Sequence, residues 1–203
     1  MRITVSIMAI CFAVFLLQTL VPWLTIYIAL TPVLALNGMY WQFFTYMFAH
    51  ASISHAGFNM LGLFIFGVTM EQVLGSRRYL ALYLASGVGS GLFHILLTGI
   101  SDIPMLGASG AVFAVLAAYA IKFPDSKIMI FPIIIPIKAL YAVIGFVVFS
   151  LFAGFTGLMP GIANFGHVGG MVFGASMMLF WRWRDRGRAD VSLEDMDWKW
   201  DAL

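Results

Sequence analysis

Residues 105 to 114 read MLGASGAVFA, a stretch that sets one serine, Ser109, between Gly107 and Gly110 in an otherwise apolar run. His55 and Asn59 in SHAGFN, His94 in LFHIL and His167 in GHVGG stand in similarly apolar surroundings. A serine hydroxyl is a weak nucleophile until a base takes its proton, and imidazole is the side chain whose ordinary pKa suits that task. His55 and Asn59, four residues apart, would share one face of a helix and can donate hydrogen bonds to an oxygen that becomes negative. Nucleophile, base and oxyanion donors together are the inventory of acyl transfer. Taken singly each has a plainer reading. A helix serine commonly bonds back to its own carbonyls, and glycine rows usually serve helix packing.

The elements that must position these groups follow from hydropathy. Of 203 residues, 62% are hydrophobic and 10% charged, and the mean hydropathy is +0.98. A soluble domain needs roughly 25% charged residues, so this composition specifies a membrane protein. Six apolar stretches approach the roughly 20 residues that a helix needs to cross a bilayer core: about 4–24, 54–73, 79–99, 108–123, 136–154 and 164–182, the fourth being the shortest. They lack the alternation of a barrel, so an all-α bundle of one domain is expected, followed by a short tail at 183–203.

With six spans, the eleven basic residues fall on one side: Arg2, Arg77, Arg78, Lys122, Lys127, Lys138, Arg182, Arg184, Arg186, Arg188 and Lys199. The positive-inside rule makes that side, with both termini, cytoplasmic. The first span is too long for a signal-peptide core and is followed by further spans, so Met1 is expected to start the mature chain.

Depth within each span comes from counting residues. Ser109 is thirteen from Lys122, His167 fifteen from Arg182 and Asn59 twelve from Glu71, which places all three roughly 18 to 23 Å above the cytoplasmic boundary. His55 and His94 each come to roughly 24 Å. One polar layer results, about 6 to 12 Å beneath the outer surface of a core about 30 Å thick. His50, at about 31 Å, belongs to the outer interface by the same counting. Depth does not choose between His94 and His167 as the base. Gly166, Gly170 and Gly174 repeat every four residues in the last span, as Gly107 and Ala111 do at the start of the fourth, and if those faces meet Ser109 and His167 come within reach.

The connections add less. The loop at 25–53 is rich in aromatics, including Tyr27, Tyr40, Trp41, Phe43 and Phe44, and suits the interface. Pro132 and Pro136 argue against helix from 128 until near 136. Residues 155–163, with Gly157 and Gly161, form a short outward loop able to act as a lid. Cys11, the single cysteine, leaves neither an internal disulfide nor a cysteine-based metal site. The arginines that follow Trp181 and Trp183 read as interfacial anchors, with no nucleic-acid partner. No role is assigned to the tail from Asp190 to Leu203, with its five acids.

These motifs resemble the rhomboid family of intramembrane serine proteases across nearly the whole chain. WQFFTYMFAHASISHAGFNM, residues 41–60, is similar to the family's first-loop and second-helix signature, with His50, His55 and Asn59 at spacings of five and four. GASG at 107–110 resembles its nucleophile motif, and GHVGGMVFG at 166–174 its last-helix histidine motif. The resemblance implies a six-transmembrane-helix rhomboid-like bundle with a short fourth helix. It implies a Ser109–His167 dyad with no third acid, and an oxyanion hole of His55, Asn59 and the Ser109 N–H. Gly107, Gly110, Phe113 and His50 would support them. No metal or cofactor is implied. Substrates would be transmembrane proteins in the lipid bilayer. The expected setting is a bacterial inner membrane, with the active site open to the outer side.

The chain departs from the family pattern in two places. Gln42 follows Trp41 where arginine is usual, and Phe113 stands where tyrosine is common. Two other readings compete with a peptidase. A non-catalytic rhomboid-like binder of client transmembrane helices would usually lack the serine or the histidine. A proton relay through His55, His94 and His167 would want buried acids or internal repeats.

Overall fold

The computed structural model describes residues 1–130 and 133–186. It is mostly helical. Helix α1 (Arg2–Leu20) buries Thr4, Ile7, Cys11 and Gln18 along one face and leaves apolar side chains such as Phe12 and Leu20 exposed. A helix apolar on its outward faces is matched to lipid as solvent. Its start is capped from far along the chain. The carboxylate of Glu71, itself buried, accepts from the N–H groups of Ile3 and Thr4 at 3.0 and 2.9 Å and from the Thr4 hydroxyl at 2.8 Å. An acid there satisfies orphan donors at the positive end of the helix.

The 25–53 region is folded. It holds the short helices α2 (Leu24–Ile28), α3 (Pro32–Leu36) and α4 (Gln42–Thr45) and a 3₁₀ turn at Tyr46–Phe48, with Tyr27, Tyr40, Trp41 and Phe44 exposed. Gln42 is fully buried. Its side-chain oxygen accepts from the Thr31 N–H at 3.0 Å and its amide donates to the Ile26 carbonyl at 2.9 Å, while the Trp41 ring N–H donates to the Tyr27 carbonyl. Gln42 therefore anchors this loop through its buried side-chain amide.

Helix α5 (Ile53–Gly62) continues through a π-helical turn (Leu63–Gly67) into α6 (Val68–Thr98), which is broken only at Gly75, where φ is 75° and ψ 155°. Glycine adopts that backbone without strain. The stretches 54–73 and 79–99 expected as spans fall along this run of helix, one on each side of the break. The short helix α7 (Ser109–Lys122) lies among the others, with nine of its residues buried.

The connection after α7 differs from expectation. Lys127–Ile130 (β1) and Ile133–Lys138 (β2) pair as an antiparallel hairpin, and α8 runs over Ala139–Thr156 rather than from 136. Proline opposes helix while the isoleucine run favours extended chain, so the segment pairs with itself. Among the described residues the fold is thus mostly helical with one small two-stranded sheet. Because α8 reaches Thr156, the loop expected at 155–163 shortens to 157–163, with Gly157 left-handed at the helix end. Helix α9 (Asn164–Arg184) ends two residues later than expected. Arg78 pairs with Asp185 just beyond it and covers the ring of Trp181, which is buried, whereas Trp183 is exposed. The acidic tail lies outside the described residues.

Among the described residues, α1, the stretch Ile53–Thr98 and α8 are long and apolar enough to cross a membrane.

Candidate active site

Helices α7 and α9 meet backbone to backbone. A Cβ on Gly170 would fall 2.0 Å from the Gly110 carbonyl oxygen, and one on Gly174 2.4 Å from that of Ala114. The small face of α7 is therefore Gly110 with Ala114, three residues along from the expected Gly107 with Ala111. Ala111 instead faces Gly87 of α6. Ser90, which sequence reasoning missed, completes the joint: its hydroxyl donates to the Gly166 carbonyl at 2.7 Å and lies where a Gly110 side chain would be. The spacing of Ser86 and Ser90 with Gly87 and Gly91 was the available signal, a small-residue row on one helix.

This contact brings the first residue of α7 to the first turn of α9. His167 Nε2 lies 2.9 Å from Ser109 Oγ. The Phe113 ring stacks on the imidazole with centroids 4.6 Å apart and packs in turn on Phe146 at 5.3 Å. The absent tyrosine hydroxyl does not prevent stacking. Because Ser109 opens its helix, its own N–H has no intrahelical acceptor and points out of the positive helix end.

The approach to Ser109 is held by the first loop. Leu30 and Met105 exchange backbone hydrogen bonds, each 2.8 Å, and the Gly107 N–H donates to the Tyr46 carbonyl at 3.0 Å. Tyr46 is itself fixed through its hydroxyl to the Gly87 carbonyl at 2.6 Å. Gly107 has a φ of +121°, and a Cβ there would fall 2.6 Å from His55 Nε2 and 3.8 Å from Asn59 Nδ2. Both candidate donors thus lie against the turn that delivers the serine. Their order is local: Ser52 caps α5 by accepting from the His55 N–H at 3.1 Å, and the Asn59 amide donates to the His55 carbonyl at 3.0 Å.

His50, expected by depth at the outer interface, is enclosed by protein. It is 2% exposed, sits edge-on to His55 with ring centroids 5.2 Å apart, and its N–H donates to Gln18 on α1. His94 lines the same cavity as Ser109, but its Nδ1 is buried with no hydrogen-bond partner among the described residues, and it is His167 that reaches the hydroxyl.

The cavity has a volume of about 880 Å³ and is lined by Ser109, His167, His55, Asn59 and His94, among others, with Ile162 contributed by the 157–163 loop. It is the size of a small-molecule site and mostly apolar, with a few convergent polar groups.

Long apolar helices around a cavity with a serine–histidine contact define an integral membrane protein with a built-in polar site. Residues 37–184 match the Rhomboid domain, and the chain belongs to the rhomboid family. It is 33% identical over 63% of its length to 38% of Rhomboid protein 1, mitochondrial, from Saccharomyces cerevisiae. To Rhomboid protease AarA of Providencia stuartii it is 32% identical, over 70% of this chain and 56% of that one. To Rhomboid protease GluP of Bacillus subtilis it is 31% identical, over 68% and 25%. The chain thus spans from a quarter to just over half the length of these curated relatives. They come from mitochondria as well as bacteria and do not single out the bacterial inner membrane.

Proposed function

We propose that this chain is an intramembrane serine peptidase that hydrolyses peptide bonds in or beside transmembrane segments of other proteins. The contact of 2.9 Å between His167 Nε2 and Ser109 Oγ carries the reading. Membership of a family whose relatives include named rhomboid proteases supports it.

In this mechanism His167 bears its proton on Nδ1 and accepts the hydroxyl proton on Nε2 as Ser109 Oγ bonds to the scissile carbonyl carbon. The tetrahedral oxyanion is held by the Ser109 N–H, His55 and Asn59. His167 then returns the proton to the leaving amine as the C–N bond breaks, leaving an ester on Ser109. A water molecule, deprotonated by His167, attacks that ester, and the serine leaves with its proton restored. Phe113 steadies the imidazole, His50 backs His55, and Gly107 and Gly110 permit the close approaches.

The chain forms one domain of six spans, with α5 and α6 supplying two of them on either side of Gly75 and α7 as the short fourth. The distribution of basic residues favours both termini on the cytoplasmic side and the 157–163 loop, which contributes Ile162 to the cavity lining, on the other.

The test is cleavage of a transmembrane substrate in proteoliposomes by the unaltered chain and by Ser109→Ala, with fluorophosphonate labelling alongside. Cleavage and labelling that both vanish with Ser109 support the peptidase. A folded chain that neither cleaves nor labels returns the reading to a binder of transmembrane helices.

A further inference from the structure

A reaction at Ser109 occupies only one end of the cavity. The cavity continues down the face of α7 past Val112 to Leu116, seven residues or about 10 Å from the nucleophile. Its lining also includes Phe146 of α8, which packs on Phe113, Phe66, which packs on Tyr119 further along α7 at 5.2 Å, and Ile128 and Met129 of β1. None of these side chains can take part in acyl transfer.

We propose that Ile128 and Met129 form a subsite that grips apolar side chains of the substrate's transmembrane segment, about two helical turns from the bond that is cut. The proposal rests on the peptidase reading above. Adjacent strand residues ordinarily face opposite ways, so two in succession on one cavity need a cause. The ladder is irregular at this point: between the pairs Ile128–Ile137 and Ile130–Ile133, Met129 alone on β1 stands against residues 134–136 of β2, so the regular alternation of a paired ladder is broken at Met129. Ile128 packs against the core, whereas Met129 is 70% exposed while lining the cavity. An unbranched thioether held there adapts to varied apolar partners.

The hairpin is placed firmly enough to act as a wall. Lys127 pairs with Lys138 at its base, Lys138 bonds Asp125 at 2.6 Å, and the Ala139 N–H donates to the Ser126 carbonyl at 2.8 Å. These contacts tie both strands to the end of α7 and the start of α8. A wholly apolar lower chamber is matched to the membrane portion of a substrate, and a polar peptide would leave its backbone unpaired there.

Photocrosslinking tests this directly. p-Benzoylphenylalanine is placed at position 129 of the Ser109→Ala chain in proteoliposomes with a transmembrane substrate, while KM is measured for Met129→Asp and Met129→Ala in the chain that retains Ser109. We expect crosslinks to membrane residues of the substrate, and KM raised about tenfold by the aspartate. Fluorophosphonate labelling, which needs only the upper end, should change less than about twofold. Crosslinks to lipid alone, or an unchanged KM, would overturn the subsite. If Met129→Asp also loses labelling through misfolding, Met129→Ala decides by the same KM criterion. Should the unaltered chain neither cleave nor label, the peptidase reading falls, and a substrate crosslink at 129 would still place a helix in the chamber.

Discussion

A side-chain carbon on Gly170 would lie 2.0 Å from the carbonyl oxygen of Gly110, so these two glycines put the backbones of α9 and α7 in direct contact. The distance between His167 and Ser109 depends on that contact, because each side chain sits within a turn of it. Gly170→Ala should therefore pry the helices apart, cost about 1 to 3 kcal/mol in stability and lose most fluorophosphonate labelling. Gly145→Ala is the control. It meets nothing within 4 Å, and thermal unfolding should show it neutral or stabilised by up to about 1 kcal/mol.

Three histidines, His55, His94 and His167, line the cavity, and His167 is the one that reaches the nucleophile. His167→Ala should lower kcat by about a thousandfold or more, and His94→Ala should stay within about tenfold of the unaltered chain. Loss of turnover in the second with retention in the first would reverse the assignment of the base.

Gly107 combines a φ of +121° with a side-chain position already filled by His55 Nε2. Gly107→Ala should displace His55 from the serine turn. A lower kcat with little change in KM is expected, since the oxyanion forms only during reaction. A change confined to KM would argue against an oxyanion role for His55.

The stacked ring on His167 can be titrated by size. Phe113→Leu removes an aromatic contact worth about 0.5 to 1.5 kcal/mol and should reduce kcat up to about tenfold, while Phe113→Tyr should restore it. Activity assays of the two variants side by side read the difference.

Gln42 tests the first loop. Gln42→Ala leaves the Thr31 N–H and the Ile26 carbonyl without their buried partner and should cost about 1 to 3 kcal/mol. Limited proteolysis should then cut within residues 24–45 at a temperature where the unaltered chain resists.

Much of this was legible in residue order alone. Hydropathy marks the apolar helices because lipid requires apolar exterior and internal backbone pairing over a set length, both of which are local properties. Counting along a helix sets depth, so Ser109, His55, Asn59 and His167 could be assigned to one layer before any contact was known. Rotation about each helix axis and the meeting of faces are not local. They brought Gly110 and Ala114, instead of Gly107 and Ala111, against α9, and they chose His167 over His94. They also enclosed His50 beside His55, used Gln42 as an anchor, and turned a proline-broken connection into a hairpin whose Ile128 and Met129 reach the cavity. Each of these depends on which distant backbone supplies a missing partner or fills a missing side chain, and only the packed tertiary structure brings those backbones together.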